Sequence, residues 1–221
     1  MSADYSYSKY IDHTVLKPET TRETLQRFCR EAMDYGFASV CVNPCNVRYV
    51  AEQLAGSPVK TAAVVGFPLG ANTTEIKVAE AKQAIEDGAA EIDMVINIGA
   101  LKDGRFDYVQ NDITQVVQAC HPAAKVKVIL ETSALTDEEK VRACEMAVEA
   151  QADFVKTSTG FGSGGATVED VKLMKKTVGD HCEVKASTGI NDRAICDAML
   201  AAGATRFGTS KGIRIVENTT A

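Results

Sequence analysis

No run of apolar residues in this chain approaches the roughly 18 that cross a bilayer, so no membrane partner is expected. Positive charge is not in excess: 24 Lys and Arg stand against 30 Asp and Glu, which disfavours nucleic acid and anionic membranes as partners. The first residues, Met1-Ser2-Ala3-Asp4-Tyr5-Ser6, contain neither a basic n-region nor an apolar h-region. The expectation is therefore no signal peptide and a cytoplasmic location. Seven cysteines, an odd number, are scattered with no C-x-x-C, and read as reduced thiols rather than a disulfide framework. His13, His121 and His181 lie far apart, no H-E-x-x-H occurs, and neither a metal nor another cofactor is expected. A G-x-S-x-G nucleophile elbow is missing too, and Cys41 reads as core packing rather than as a nucleophile. No linker or low-complexity stretch divides the chain.

What is present is alternation. With 45% apolar residues in a length of 221, the composition is that of a globular protein and the length suits one α/β barrel. Strand-like runs cover 11–17, 39–43, 61–67, 91–97, 126–132, 153–159, 183–188 and 206–210. Helical patterns lie between them at 21–35, 47–55, 73–87, 106–120, 137–150, 168–178 and 192–201. Capping-box pairs stand at several helix starts: Thr20 with Glu23, Asn72 with Glu75, and Thr136 with Glu139. Strict alternation implies parallel pairing, because each return crossover needs a helix. Gly36, Gly88, Gln151 and Gly203 mark one recurring helix-to-strand junction, each a pair of βα units apart. The expected fold is a TIM (β/α)8 barrel in a single domain over 1–221, with a short N-terminal piece (1–9) and a short tail (217–221). An open doubly wound sheet is the competing architecture.

The chemistry gathers at strand interiors. Lys156 lies within the apolar run Asp153-Phe154-Val155-Lys156-Thr157-Ser158-Thr159-Gly160-Phe161. A lysine there is desolvated, which disfavours the ammonium and favours the nucleophilic amine that a Schiff base requires. The bland reading is a packed stem with a head that snorkels to water. Glu183-Val184-Lys185-Ala186-Ser187 repeats the feature, and neighbouring parallel strands would bring Lys156 and Lys185 together so that at least one titrates low. Asp93, expected on one strand face with Val95 and Asn97, is costly between Ile92 and Met94 unless it meets a cation or water. A purely structural ion network of Lys127, Glu131, Asp93 and the two lysines is the alternative, although such networks add little net stability.

Gly160-Phe161-Gly162-Ser163-Gly164-Gly165 matches G-x-G-x-x-G, but the acidic residue a dinucleotide site needs after the next strand is missing. With the turns at Thr188-Gly189-Ile190 and Gly208-Thr209-Ser210-Lys211-Gly212, the glycines read as a phosphate cradle or simply as tight turns.

These stretches carry a resemblance. Ile11-Asp12-His13-Thr14-Val15-Leu16-Lys17-Pro18, Glu91-Ile92-Asp93-Met94-Val95-Ile96-Asn97, Phe154 to Phe161 and Val184-Lys185-Ala186-Ser187 resemble the deoxyribose-phosphate aldolases, from about residue 10 to 216. The resemblance implies a metal-independent class I aldolase on a TIM barrel. Such an enzyme reversibly cleaves 2-deoxy-D-ribose 5-phosphate to D-glyceraldehyde 3-phosphate and acetaldehyde, in deoxyribose phosphate catabolism. It implies Lys156 as the Schiff-base residue, Lys185 as its pKa-perturbing partner and proton donor, and Asp93 as a proton relay through water. It implies Gly160, Gly189 and Ser210 in the turns that hold phosphate, with Asp12, Thr157 and Lys127 in the surrounding polar network. Two positions depart from the family pattern: Thr188 replaces the first of a glycine pair, and Lys211 the second of a serine pair. Thr188 either crowds the phosphate or adds a hydroxyl donor, and Lys211 reads as an extra phosphate contact or, equally, as a change in aldehyde preference. The tail after Val216 also lacks the tyrosine that some members place near the phosphate. A small-molecule substrate and a homodimer are the expected partners. Three alternatives remain: a class I lyase for another phosphorylated sugar, a non-catalytic phosphometabolite-binding protein, and a phosphosugar isomerase.

Overall fold

Each strand pairs in parallel with both chain neighbours, and the eighth returns to the first to close the sheet. The computed structural model describes residues 4–219. The strands are β1 (Ile11–Val15), β2 (Ser39–Val42), β3 (Lys60–Val65), β4 (Glu91–Val95), β5 (Lys125–Ile129), β6 (Phe154–Lys156), β7 (Glu183–Ser187) and β8 (Arg206–Thr209). Around them lie α1 (Arg22–Tyr35), α2 (Val47–Gln53), α3 (Thr74–Glu86), α4 (Ile98–Lys102), α5 (Phe106–Cys120), α6 (Asp137–Glu149), α7 (Val168–Val178), α8 (Arg193–Ala202) and α9 (Gly212–Glu217). The closed sheet rules out the open alternative.

The four recurring junction residues share one conformation. Gly36, Gly88, Gln151 and Gly203 all have positive φ (66°, 101°, 60° and 108°), the left-handed residue that ends a helix and turns the chain into the next strand. Gln151 does this without glycine's freedom. Of the three capping boxes, only Thr136 with Glu139 makes both reciprocal bonds. The cap of α1 is Thr21 rather than Thr20, accepting from the Thr24 amide, and the cap of α3 is Thr73, which makes no side-chain cap bond. The short helices α4 and α9 were not foreseen, since five or six residues are too few to show a helical period. Asn97 caps α4 rather than extending the face that bears Asp93.

Strand alternation separates two cores. Outward side chains such as Ile92, Met94, Val126 and Val155 pack under the helices in one continuous apolar layer. Inward, Leu16, Cys41, Ala62 and Val64 form a small apolar cluster on the β1–β3 side. Most of the remaining interior is charged, with the Phe154 ring beneath Lys127 and Arg206. The register stacks inward side chains in tiers drawn from alternate strands: Ser39, Glu91, Phe154 and Arg206 lowest, then Asp12, Ala62, Lys127 and Lys185, then Cys41, Asp93, Lys156 and Gly208. All seven cysteines are free and six are buried, Cys45 being the exposed one.

Candidate active site

Lys156 and Lys185 are register partners across β6 and β7, as their like positions in the sequence suggested. Both are buried, and both aminos donate to the same atom: Lys156 Nζ lies 2.8 Å and Lys185 Nζ 2.7 Å from Asp93 Oδ2. The second oxygen of Asp93 accepts from Lys127 Nζ at 2.8 Å. Below them, Asp12 Oδ2 meets Lys185 at 2.5 Å, and Glu91 Oε2 meets Lys127 at 2.5 Å. Arg206 Nη1 joins Asp12 Oδ1 at 2.8 Å to Glu91 at 3.0 Å. Gly208 makes room for this arrangement, because a Cβ there would stand 3.2 Å from Cε of Lys185.

The same burial produces opposite outcomes for the two lysines. Burial lowers the pKa of Lys156, and the Lys185 charge pushes the same way against the attraction of Asp93. Lys185 suffers burial as well, but Asp12 and Asp93 together outweigh it and hold its proton above the ordinary lysine value. Asp93 is also opposed by burial, yet Lys127, Lys156 and Lys185 keep it ionised far below the usual carboxylate range. Two neighbouring groups driven apart in pKa make a nucleophile and an acid. Cys41, beside Asp93, has its thiol pushed up to about 11 by burial and then by that carboxylate, which suits packing.

Of the network cations, Lys156 is the one that borders the cavity at the C-terminal ends of the strands. That cavity, of about 230 Å³, is lined also by Gly160, Thr188, Gly189 and Ser210. Sequence reasoning overlooked Ser187, Asn191 and Thr159 in the same lining. Gly160 has φ 87°, and a Cβ on it would stand 3.1 Å from the Thr188 hydroxyl, so the two turns close against each other. Thr188 itself has φ 70°, a strained backbone for a β-branched residue. Phe161 lies exposed at the rim, edge-on to Phe67 with ring centres 5.4 Å apart.

Asp12, Lys127, Thr157 and Lys211 stand outside the cavity lining. Asp12 and Lys127 are fully buried one tier below Lys156, where their charges are paired. Thr157 has the opposite parity to Lys156, and its hydroxyl donates to the Ser187 carbonyl and accepts from the Ser187 amide, pinning β6 to β7. Lys211 is exposed and caps α9, outside the lining of the cavity. Glu131 is not part of the ion network: it sits in a left-handed conformation (φ 58°) and accepts from the Thr159 amide and hydroxyl. Glu91 and Arg206 take its place. Their signal was in the sequence, since each opens a strand at the inward parity shared with Asp93 and Gly208. The G-x-G-x-x-G glycines serve close packing, because Cβ atoms at Gly162 and Gly165 would strike Glu131 and the Thr188 carbonyl. Among the described residues, no group of three or more His, Cys, Asp or Glu is disposed to hold a metal ion. None of the described helices is long and apolar enough to cross a membrane.

Comparison with known proteins agrees in sequence and shape. The family model described as DeoC/LacD family aldolase matches residues 7–217. A curated deoxyribose-phosphate aldolase of Clostridium tetani is 60% identical over 209 residues, 95% of this chain and 97% of that protein. One from Thermococcus gammatolerans is 61% identical over 213 residues, 95% of each. Among solved structures, the tetrameric deoxyribose phosphate aldolase of Aeropyrum pernix superposes with a TM-score of 0.90 at 31% identity, covering 97% of this chain and 91% of that one.

Proposed function

The chain belongs to the DeoC/LacD aldolase family, and from that premise we propose that it is a deoxyribose-phosphate aldolase working through a Schiff base on Lys156. The observation that carries the reading is a buried Lys156 at the cavity floor, with burial and the neighbouring Lys185 pushing its pKa down, below turns that can cradle a phosphate.

The amine adds to the C1 aldehyde of open-chain 2-deoxy-D-ribose 5-phosphate, and loss of water gives the imine. Its protonated form draws electrons from the C2–C3 bond as the C3 hydroxyl passes its proton to a water on the Asp93 relay. D-Glyceraldehyde 3-phosphate departs, and the enamine left on Lys156 takes a proton at C2. Hydrolysis then releases acetaldehyde. Lys185, which keeps its proton, is the acid for these steps. Asp93 Oδ2 touches both lysines and is the relay through which a proton passes between them, with water completing the path to the substrate. Gly160, Thr188, Gly189 and Ser210 hold the phosphate. Asp12, Lys127 and Thr157 act beneath and beside the site, and Lys211 meets the phosphate only electrostatically.

We place the enzyme in the cytoplasm, in deoxyribose phosphate catabolism, as a homodimer, the commonest closed symmetry. The test is borohydride trapping with acetaldehyde. Ethylation of Lys156, absent in Lys156→Ala, with cleavage of deoxyribose 5-phosphate ahead of other sugar phosphates, is the expected result. No selective label and no cleavage would leave a phosphometabolite-binding protein.

A further inference from the structure

The interior network has four cations and three carboxylates, all buried but Arg206, which is partly exposed at the foot. Arg206, Lys127, Lys185 and Lys156 face Asp12, Glu91 and Asp93. A low-dielectric interior disfavours uncompensated charge, so one cation is surplus. Arg206 cannot lose its proton. Lys127 touches all three carboxylates, at 2.5 Å (Glu91), 2.8 Å (Asp93) and 3.7 Å (Asp12). Lys185 touches two, Asp12 at 2.5 Å and Asp93 at 2.7 Å. Lys156 touches one, which it shares with both of the others. The surplus falls on Lys156.

We propose that Glu91 and Arg206, at the foot of the barrel and away from the cavity, are positioning residues that set the charge state of Lys156 through the balance of this network. The inference rests on the reading of Lys156 as the nucleophile. Every group facing Lys156 belongs to the same account. Asp93 is on its β4 side, Lys185 on β7 and the neutral Cys41 thiol on β2, with Asp12, Lys127, Glu91 and Arg206 one or two tiers below. β3 supplies only Ala62 and Val64. His13 points outward to Glu31 and takes no part. Arg206 Nη1 touches both Asp12 and Glu91, and Lys127 joins Glu91 to Asp93, so a charge removed at the foot is felt at the top.

The two residues therefore act in opposite directions. Loss of Arg206 leaves three cations for three carboxylates, and Lys156 keeps its proton to balance them. Loss of Glu91 leaves four cations for two carboxylates, and Lys156 gives up its proton more readily. The test is competitive labelling of the full-length chain with trace acetic anhydride from pH 5 to 11. Acetylation of Lys156 is read by peptide mass spectrometry against exposed Lys211, without substrate. Arg206→Met should raise the midpoint for Lys156 by about one pH unit and Glu91→Gln should lower it by about as much, the low end of what one nearby charge produces. Arg206→Lys and the double variant Glu91→Gln/Arg206→Met, which restore the balance, should stay within a few tenths of the native midpoint. Glu91→Gln and the double variant carry the test if Arg206→Met does not fold. Unmoved midpoints, or shifts of one sign in both single variants, would overturn the proposal. Failure of Lys156 to label in the native chain would instead remove the nucleophile assignment itself.

Discussion

Lys156 and Lys185 stand side by side across two strands and place their Nζ atoms on one oxygen of Asp93, yet of the two only Lys185 reaches a second carboxylate, Asp12. In the proposed mechanism the division of labour follows from that asymmetry: the lysine with one carboxylate attacks, and the lysine with two holds the proton to give.

Removal of the Lys185 charge should reverse the state of Lys156. In Lys185→Met, three cations face three carboxylates and Lys156 becomes the ammonium that balances Asp93. Its pKa then rises, so the free amine appears only at higher pH. The expected outcome is a fall of about 10²-fold or more in kcat/KM at pH 7 that recovers in part as pH rises, measured from pH 6 to 10, the missing acid accounting for what does not return. A loss that does not change with pH would show that Lys185 does not set the charge of Lys156.

Stability should fall in acid. Asp12 and Asp93 have folded-state pKa values below the unfolded value of about 3.9, so their contribution is complete above that pH and is lost as pH falls towards the folded values. Urea midpoints should be flat from pH 5 to 8 and drop below pH 4. In Asp12→Asn the acid limb should be shallower, on a lower plateau.

Thr188 is strained where glycine would be at ease. Thr188→Gly should release about 1 kcal/mol of backbone strain and raise Tm by about 2–4 °C, read by calorimetry. The cavity also loses a hydroxyl donor. KM for deoxyribose 5-phosphate should rise about tenfold, the worth of one hydrogen bond to an anion, while unphosphorylated 2-deoxyribose is turned over as before.

Outside the barrel, Lys77 of α3 and Asp112 of α5 form a fully buried pair at 2.5 Å, and Lys77 also donates to the carbonyl of Val95 at the end of β4. Lys77→Met alone leaves a buried carboxylate and should cost about 3–5 kcal/mol in urea unfolding. Lys77→Met with Asp112→Leu should recover most of that loss, because apolar packing replaces both charges.

The sequence by itself determined the alternation, the parallel barrel and the two lysines with their aspartate. Periodicity records which face a residue takes, and Lys156, Lys185 and Asp93 each interrupt an apolar strand at inward parity. It also determined the junctions at Gly36, Gly88, Gln151 and Gly203, since ending a helix in a left-handed turn is a local requirement. Only the tertiary structure decided which charges meet. Glu91 and Arg206 are 115 residues apart and touch because the eighth strand returns to the first and brings the foot of β8 into the same interior. Glu131, read from sequence as a possible partner of Lys127 and Asp93, is turned aside by its left-handed backbone just past the end of β5. Pairwise electrostatics falls off with distance in space and takes no account of separation along the chain. The charge balance that selects Lys156 over its neighbours therefore exists only once the barrel has closed.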